Sequence, residues 1–226
     1  MWFSLRLFIV IAIAVWALPR AAAAQDAGYF AGAVAGVATL SGDPSFVVTP
    51  DGFIVSKYKP ENGTAVNVFI GAHVREYVTV QANYIWNRND ITLASGVASD
   101  TGTRFYEQPR ASSQHAVIGD LLVYFRERAS RIRQYLSGGF GIVRFETDSQ
   151  DTSVDGGLPL PPIRFTSTDV ILRVAVGVDV PVGHGWNVRY SFSESVGPNP
   201  ISRKLDPPGS RGLMNFQNLV GLMRQF

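Results

Sequence analysis

The chain has 226 residues, of which 46% are hydrophobic and 17% charged, and it contains no cysteine. A disulfide framework and thiolate chemistry are therefore excluded. Lys and Arg number 20 against 18 Asp and Glu, so no strong positive field argues for a nucleic-acid partner.

The chain start reads as a secretory signal peptide over residues 1–24. Arg6 supplies a positive charge, Leu7 to Leu18 is an unbroken apolar run, and Ala22, Ala23 and Ala24 form a small-residue cleavage site before Gln25. The run is too short for a spanning helix, which needs roughly 20 residues, and Pro19 and Arg20 follow it directly. Cleavage removes two of the 20 basic residues and no acid, leaving 18 of each sign. Residues 25–226 suit one domain.

From Gln25 onward the hydrophobic signal has period two, the mark of strands with one apolar and one polar face. In chain order, a first segment at 28–40 is rich in Ala and Gly, and its faces are not assigned. In the second, Val66, Val68, Ile70, Ala72 and Val74 oppose Asn67, Phe69, Gly71, His73 and Arg75. In the third, Val78, Val80, Ala82, Tyr84 and Trp86 oppose Thr79, Gln81, Asn83, Ile85 and Asn87. The fourth, 113–126, sets Val117, Leu121, Val123 and Phe125 against Gln114, Asp120 and Tyr124, and the fifth, 133–146, is again Gly-rich and unassigned. The sixth is the clearest, with Val170, Leu172, Val174, Val176, Val178 and Val180 opposite Asp169, Arg173 and Asp179. The seventh opposes Trp186, Val188, Tyr190 and Phe192 to Asn187, Arg189, Ser191 and Ser193, and the eighth covers 212–226.

The links alternate in length. Short ones lie at Arg75-Glu76, Glu127 to Arg131 and Pro181 to Gly185; long polar ones lie at 41–63, 88–112, 147–167 and 196–211. An even number of alternating strands with long and short links in turn is the signature of a transmembrane up-and-down β-barrel. The fold expected is thus all-β, an eight-stranded antiparallel barrel, with both termini on the periplasmic side. A soluble barrel would need the apolar face turned inward. Eight strands enclose too little space for that many apolar side chains, and Trp86 and Trp186 fall where interfacial aromatic girdles belong.

The inward set then holds charges of both signs. A lone buried charge is costly, so Arg173 and Arg189 are expected to form a lumen network with Asp120, Asp169 and Asp179. Its functional reading is a gate or selectivity lining; its structural reading is a plug, which the sequence favours.

The last strand, Leu213 to Phe226, ends in an aromatic residue. With the signal peptide and eight strands, the chain resembles the small outer-membrane β-barrel family, which includes the outer-membrane protein A barrel. The resemblance implies residence among outer-membrane lipid and lipopolysaccharide, and recognition by the barrel-assembly machinery through Gly221 and Phe226. Arg224 and Asn218 depart from the outward apolar pattern. A monomer is expected, with no nucleic-acid partner and no cofactor.

Some eight-stranded barrels are lipid-modifying enzymes. The stretch Arg189 to Ser195 faintly resembles the His-x-Ser region of the lipid A 3-O-deacylases, but it has no histidine to activate a hydroxyl. None of His73, His115 and His184 is followed two places later by serine, and no room precedes the first strand for the amphipathic helix of the palmitoyltransferase barrels. No catalytic or metal site is assigned. Asp148, Asp151 and Asp155 lack the EF-hand spacing and read as a solvated acidic loop. The basic run Arg126 to Arg133 reads equally as a headgroup contact or a soluble turn. The function expected is a structural or surface-interaction barrel with a filled lumen, with a narrow solute channel as the alternative and a lipid-modifying enzyme third.

Overall fold

A computed structural model describes residues 28–41, 45–49, 52–99, 102–149, 153–155, 163–200 and 212–226. The signal peptide expected at 1–24 lies outside them. The described strands are β1 (Tyr29–Ser41), β2 (Ser45–Thr49), β3 (Gly52–Pro60), β4 (Asn62–His73), β5 (Val78–Ser99), β6 (Gly102–Tyr124), β7 (Arg133–Ser149), β8 (Ser153–Asp155), β9 (Arg164–Gly183), β10 (Trp186–Pro198) and β11 (Gly212–Gln225). Eight of them form a closed antiparallel ring in the order β1, β4, β5, β6, β7, β9, β10, β11. Closure comes from β1 against β11, in register from Phe30↔Gln225 to Ser41↔Met214. These eight are the strands expected from the sequence.

Alternation sets one face of each strand outward and the other into the lumen. On β9, Val170, Leu172, Val174 and Val176 are exposed, while Ile171, Arg173, Ala175 and Asp179 are buried. The two unassigned strands now have faces. β1 turns Phe30, Val34, Ala38 and Leu40 inward, and β7 turns Arg133, Tyr135 and Ser137 inward. Inward glycines make room for rings on the neighbouring strand: Phe30 pairs with Gly71, Phe69 with Gly32 and Tyr135 with Gly177. A Cβ at any of these glycines would strike the facing ring. An eight-stranded lumen is only wide enough for side chains, so a large residue needs a missing one opposite it.

The structure corrects three of the four expected long links. The stretch 88–112 is not a loop: β5 and β6 stay paired from Val78↔Val123 to Ser99↔Gly102. The link at 41–63 carries the β2–β3 hairpin, which pairs with the end of β5, and 147–167 carries β8, paired with β6. The reason is a reversal of polarity beyond Trp86. Ile91 and Leu93 now point inward, joining Leu40, Phe145 and Leu213 in a buried apolar cluster, while Arg88 and Asp90 point out. Side chains there still alternate, but without the apolar-out pattern that identified the strands. Arg75, assigned to the inward face, is instead exposed in the turn between β4 and β5.

Candidate functional site

Among the described residues, the lumen is where charged side chains converge away from water. Arg189 on β10 donates from Nε to Asp179 Oδ1 at 2.6 Å and from Nη2 to Asp179 Oδ2 at 2.7 Å. Tyr124 Oη donates to the same carboxylate at 2.7 Å. Arg189 Nη1 donates to Gln81 Oε1 at 2.6 Å, and Gln81 Nε2 donates to Asn83 Oδ1 at 2.7 Å. Asn83 Nδ2 then donates to Asp120 Oδ2 at 3.0 Å, and Asp120 accepts from Arg173 Nη1. One chain of hydrogen bonds therefore runs from Asp179 to Arg173 across the lumen. Both ion pairs are almost wholly buried, which the mutual compensation of charge and hydrogen bonds permits.

Four of the five residues expected in the network are brought together: Arg173 with Asp120, and Arg189 with Asp179. Asp169 is not. It sits half-buried farther along β9, where it accepts from Ser167 Oγ, and it belongs to a different part of the lumen. The relays Gln81 and Asn83 were expected inside but not as connectors, because sequence alternation gives a face and not a reach.

Arg133 was read as part of a charged turn and is instead buried, its guanidinium 3.9 Å from the centre of the Tyr124 ring. Its shared parity with Tyr135 and Ser137 is the signal that would have placed it. Of the other charges in that run, Arg128 is tied to the preceding turn: its backbone N–H donates to Glu76 Oε1 at 2.6 Å. His73 faces inward against Thr79 Oγ1 at 2.7 Å, whereas His115 faces outward with Nδ1 2.8 Å from Tyr84 Oη. His184 lies in the tight turn between β9 and β10, with φ of 54°. Ser191, Ser193 and Ser195 point into the lumen and Glu194 points away, so the serines and the acid of that stretch occupy opposite faces. Among the described residues no three His, Asp or Glu side chains gather as a metal site would require. Asp148 pairs with Arg164 at 3.0 Å; Asp151 and the side chain of Asp155 lie outside the described structure.

Residues 8–199 match the family model for the outer membrane protein β-barrel domain. The chain belongs to that family. This outer-membrane barrel is similar in fold to Neisserial surface protein A, at 12% identity and a TM-score of 0.50, covering 89% of this chain and 100% of that one. Ail, the attachment invasion locus protein of Yersinia pestis, matches at 11% identity with a TM-score of 0.46, covering 88% and 97%. OprG from Pseudomonas aeruginosa matches at 13% with a TM-score of 0.40, covering 88% and 95%. No curated protein sequence matches the chain.

Family membership gives the outer face its solvent, which is lipid. Trp186 and Trp86 lie toward opposite ends of the outward apolar band, the headgroup levels that amphipathic rings prefer. The two polar departures on β11 are both accommodated. Asn218 Oδ1 accepts from Tyr190 Oη at 3.0 Å. The Arg224 guanidinium lies 5.6 Å from the Trp186 ring centre and 5.5 Å from that of Phe226, at the barrel end, where a long cationic side chain can reach headgroups.

Proposed function

We propose that this outer-membrane barrel is a structural or surface-interaction protein with a closed lumen, and not an enzyme. The observation that carries the reading is the unbroken chain from Asp179 through Arg189, Gln81, Asn83 and Asp120 to Arg173. An ion crossing that layer would have to displace two buried ion pairs and their relays together. The long β5–β6 hairpin adds to it, since it extends well beyond the lipid-facing band and offers a sheet surface. Both chain termini lie at the periplasmic end in this reading, and the hairpin faces the exterior, among lipopolysaccharide.

Biogenesis through the barrel-assembly machinery belongs to the same proposal, with Gly221 and Phe226 as its signal, and so does a monomeric state. Gly221 lies on the seam that closes the ring, opposite Val34, where a Cβ would drive into the Ala33 carbonyl.

A narrow channel is the second reading, favoured by the small cavity that Asn87, Gln114 and Asp169 line beyond the network. Planar-bilayer recordings on refolded protein decide between them. No steady unitary current is expected from the parent chain. Steady currents that change when Arg173 or Asp120 is neutralised would establish the channel instead.

A further inference from the structure

One carboxylate stands on the lipid-facing side of the barrel. The outward residues of β10 run Trp186, Val188, Tyr190, Phe192, Glu194 and Val196, and Glu194 is half-buried between the buried Ser193 and Ser195. It lies eight residues beyond Trp186. At a strand rise of about 3.3 Å and a tilt of about 40°, that is about 20 Å up an apolar band about 25 Å tall. Glu194 therefore sits just inside the hydrocarbon, below the headgroups farther from Trp186. Among the described residues it makes no ion pair and no hydrogen bond. An ionisable side chain at such a depth is costly and points to a partner.

A second polar group stands beside it. Asn218 on β11 pairs with Phe192, and Phe216 pairs with Glu194. Glu194 and Asn218 are thus diagonal neighbours on one face, about 7–8 Å apart. Tyr190 Oη donates to Asn218 Oδ1 at 3.0 Å. That occupies the acceptor of the Asn218 amide and leaves its Nδ2 donors without a partner among the described residues. The other diagonal is filled by Phe192 and Phe216, whose rings stack 6.4 Å apart at 19°.

The patch offers one strong acceptor and one donor beside an aromatic shelf. Hydrocarbon satisfies neither group, and an ester carbonyl can only accept. A trans secondary amide satisfies both. Its N–H and C=O point in opposite directions, and with a hydrogen bond of about 2.9 Å at each end its two partners stand roughly 8 Å apart. We propose that Glu194 and Asn218 form a lateral binding site for a lipid whose acyl chain is joined through an amide. The amide N–H donates to Glu194, its C=O accepts from Asn218 Nδ2, and the chain lies on Phe192 and Phe216. The source is lipopolysaccharide, whose amide-linked chains begin at this depth. That source rests on the reading that puts the β5–β6 hairpin at the exterior; the site itself needs only a lipid-facing β10.

The test is NMR on the refolded full-length barrel in nanodiscs, read at the Asn218 side-chain amide. The bilayer is phosphatidylcholine doped with sphingomyelin, which has the same headgroup and an amide in place of an ester. Both leaflets receive it, so the result is the same whichever way the barrel faces. The resonance should shift saturably, half-way near one sphingomyelin per ten phosphatidylcholines, the roughly tenfold preference that two net hydrogen bonds imply. Sphingomyelin methylated at its amide nitrogen should leave the resonance unmoved, and lipid A should reproduce the shift. Glu194→Leu removes a charge from the lipid face, so it should insert at least as well as the parent and lose the preference. Equal effects of sphingomyelin and its N-methyl form, or a preference kept by Glu194→Leu, would overturn the site. So would a Glu194→Leu barrel that fails to insert, since the carboxylate would then not face lipid. A shift with sphingomyelin and none with lipid A would overturn lipopolysaccharide as the occupant.

Discussion

Arg173 reaches Asp120 over the top of Gly139. The three occupy one register row, Asp120↔Gly139 on β6 and β7 and Gly139↔Arg173 on β7 and β9, and the ion pair spans the middle strand. A Cβ at Gly139 would collide with the Asp120 carboxylate and the Gly119 carbonyl. Gly139→Ala should therefore destabilise the refolded barrel by about 1–3 kcal/mol, the range for overpacking. Gly138→Ala is the control, since Gly138 faces outward with nothing near its Cβ position. Urea midpoints of the two variants should differ clearly; equal midpoints would remove Gly139 from the account of the ion pair.

The Arg189–Asp179 pair should behave as a unit. Arg189→Met leaves a buried carboxylate without its cation and should cost about 3–5 kcal/mol, whereas the double variant Arg189→Met with Asp179→Leu should recover much of that loss. A double-mutant cycle on unfolding free energies checks it. Additive losses would show that the two residues are not coupled.

Which face meets lipid is tested on β9. Val174 is exposed and its neighbour Arg173 is buried. Val174→Arg puts a guanidinium into hydrocarbon and should cost about 2–4 kcal/mol near mid-membrane, while Val174→Leu should be almost silent. Folding yields into bilayers measure both. An arginine variant that folds like its parent would mean that the valines are not in lipid.

Orientation is tested by single cysteines in this cysteine-free chain. Asp90→Cys and Ile163→Cys, both at exposed positions beyond the lipid-facing band, should react with an impermeant maleimide on intact cells. Ala129→Cys, exposed in the turn between β6 and β7, should react only once the outer membrane is breached. The opposite pattern would invert the barrel.

Where lipid borders the strands, the sequence was easy to read, because hydrocarbon permits no polar residue to intrude on the outer row without a partner. Hence the valines of β9 and the alternation of β4, β5 and β10 specified both strand and face. β1 and β7 were opaque for a physical reason: their inward positions include Gly32, Gly36, Gly139 and Gly141, which are neither polar nor apolar in pattern; Gly32 and Gly139 admit side chains from neighbouring strands, and Gly36 and Gly141 lie close against neighbouring backbone. Beyond Trp86 water lies outside, Ile91 and Leu93 turn inward, and a rule tuned to lipid sees only a loop. The lumen charges were identifiable as a set, but Asp169 could not be separated from Asp120 without knowing which strands are adjacent. Arg133 was hidden among turn arginines of identical chemistry.

The seam between β1 and β11 joins residues from the two ends of the described chain, Phe30 with Gln225 and Ser41 with Met214. It constrains the order of events during synthesis. Until β11 exists, every growing chain has an open sheet at best, with two rows of unpaired N–H and C=O groups that hydrocarbon cannot satisfy. No intermediate length is therefore a smaller barrel. Such contacts between distant segments are also the slowest to form. The nascent protein must be kept from pairing with itself or its neighbours over the whole time from translation of Phe30 to translation of Gln225. A chaperone deficit should accordingly strike this protein before insertion, as aggregation of complete but unclosed chains, rather than after it.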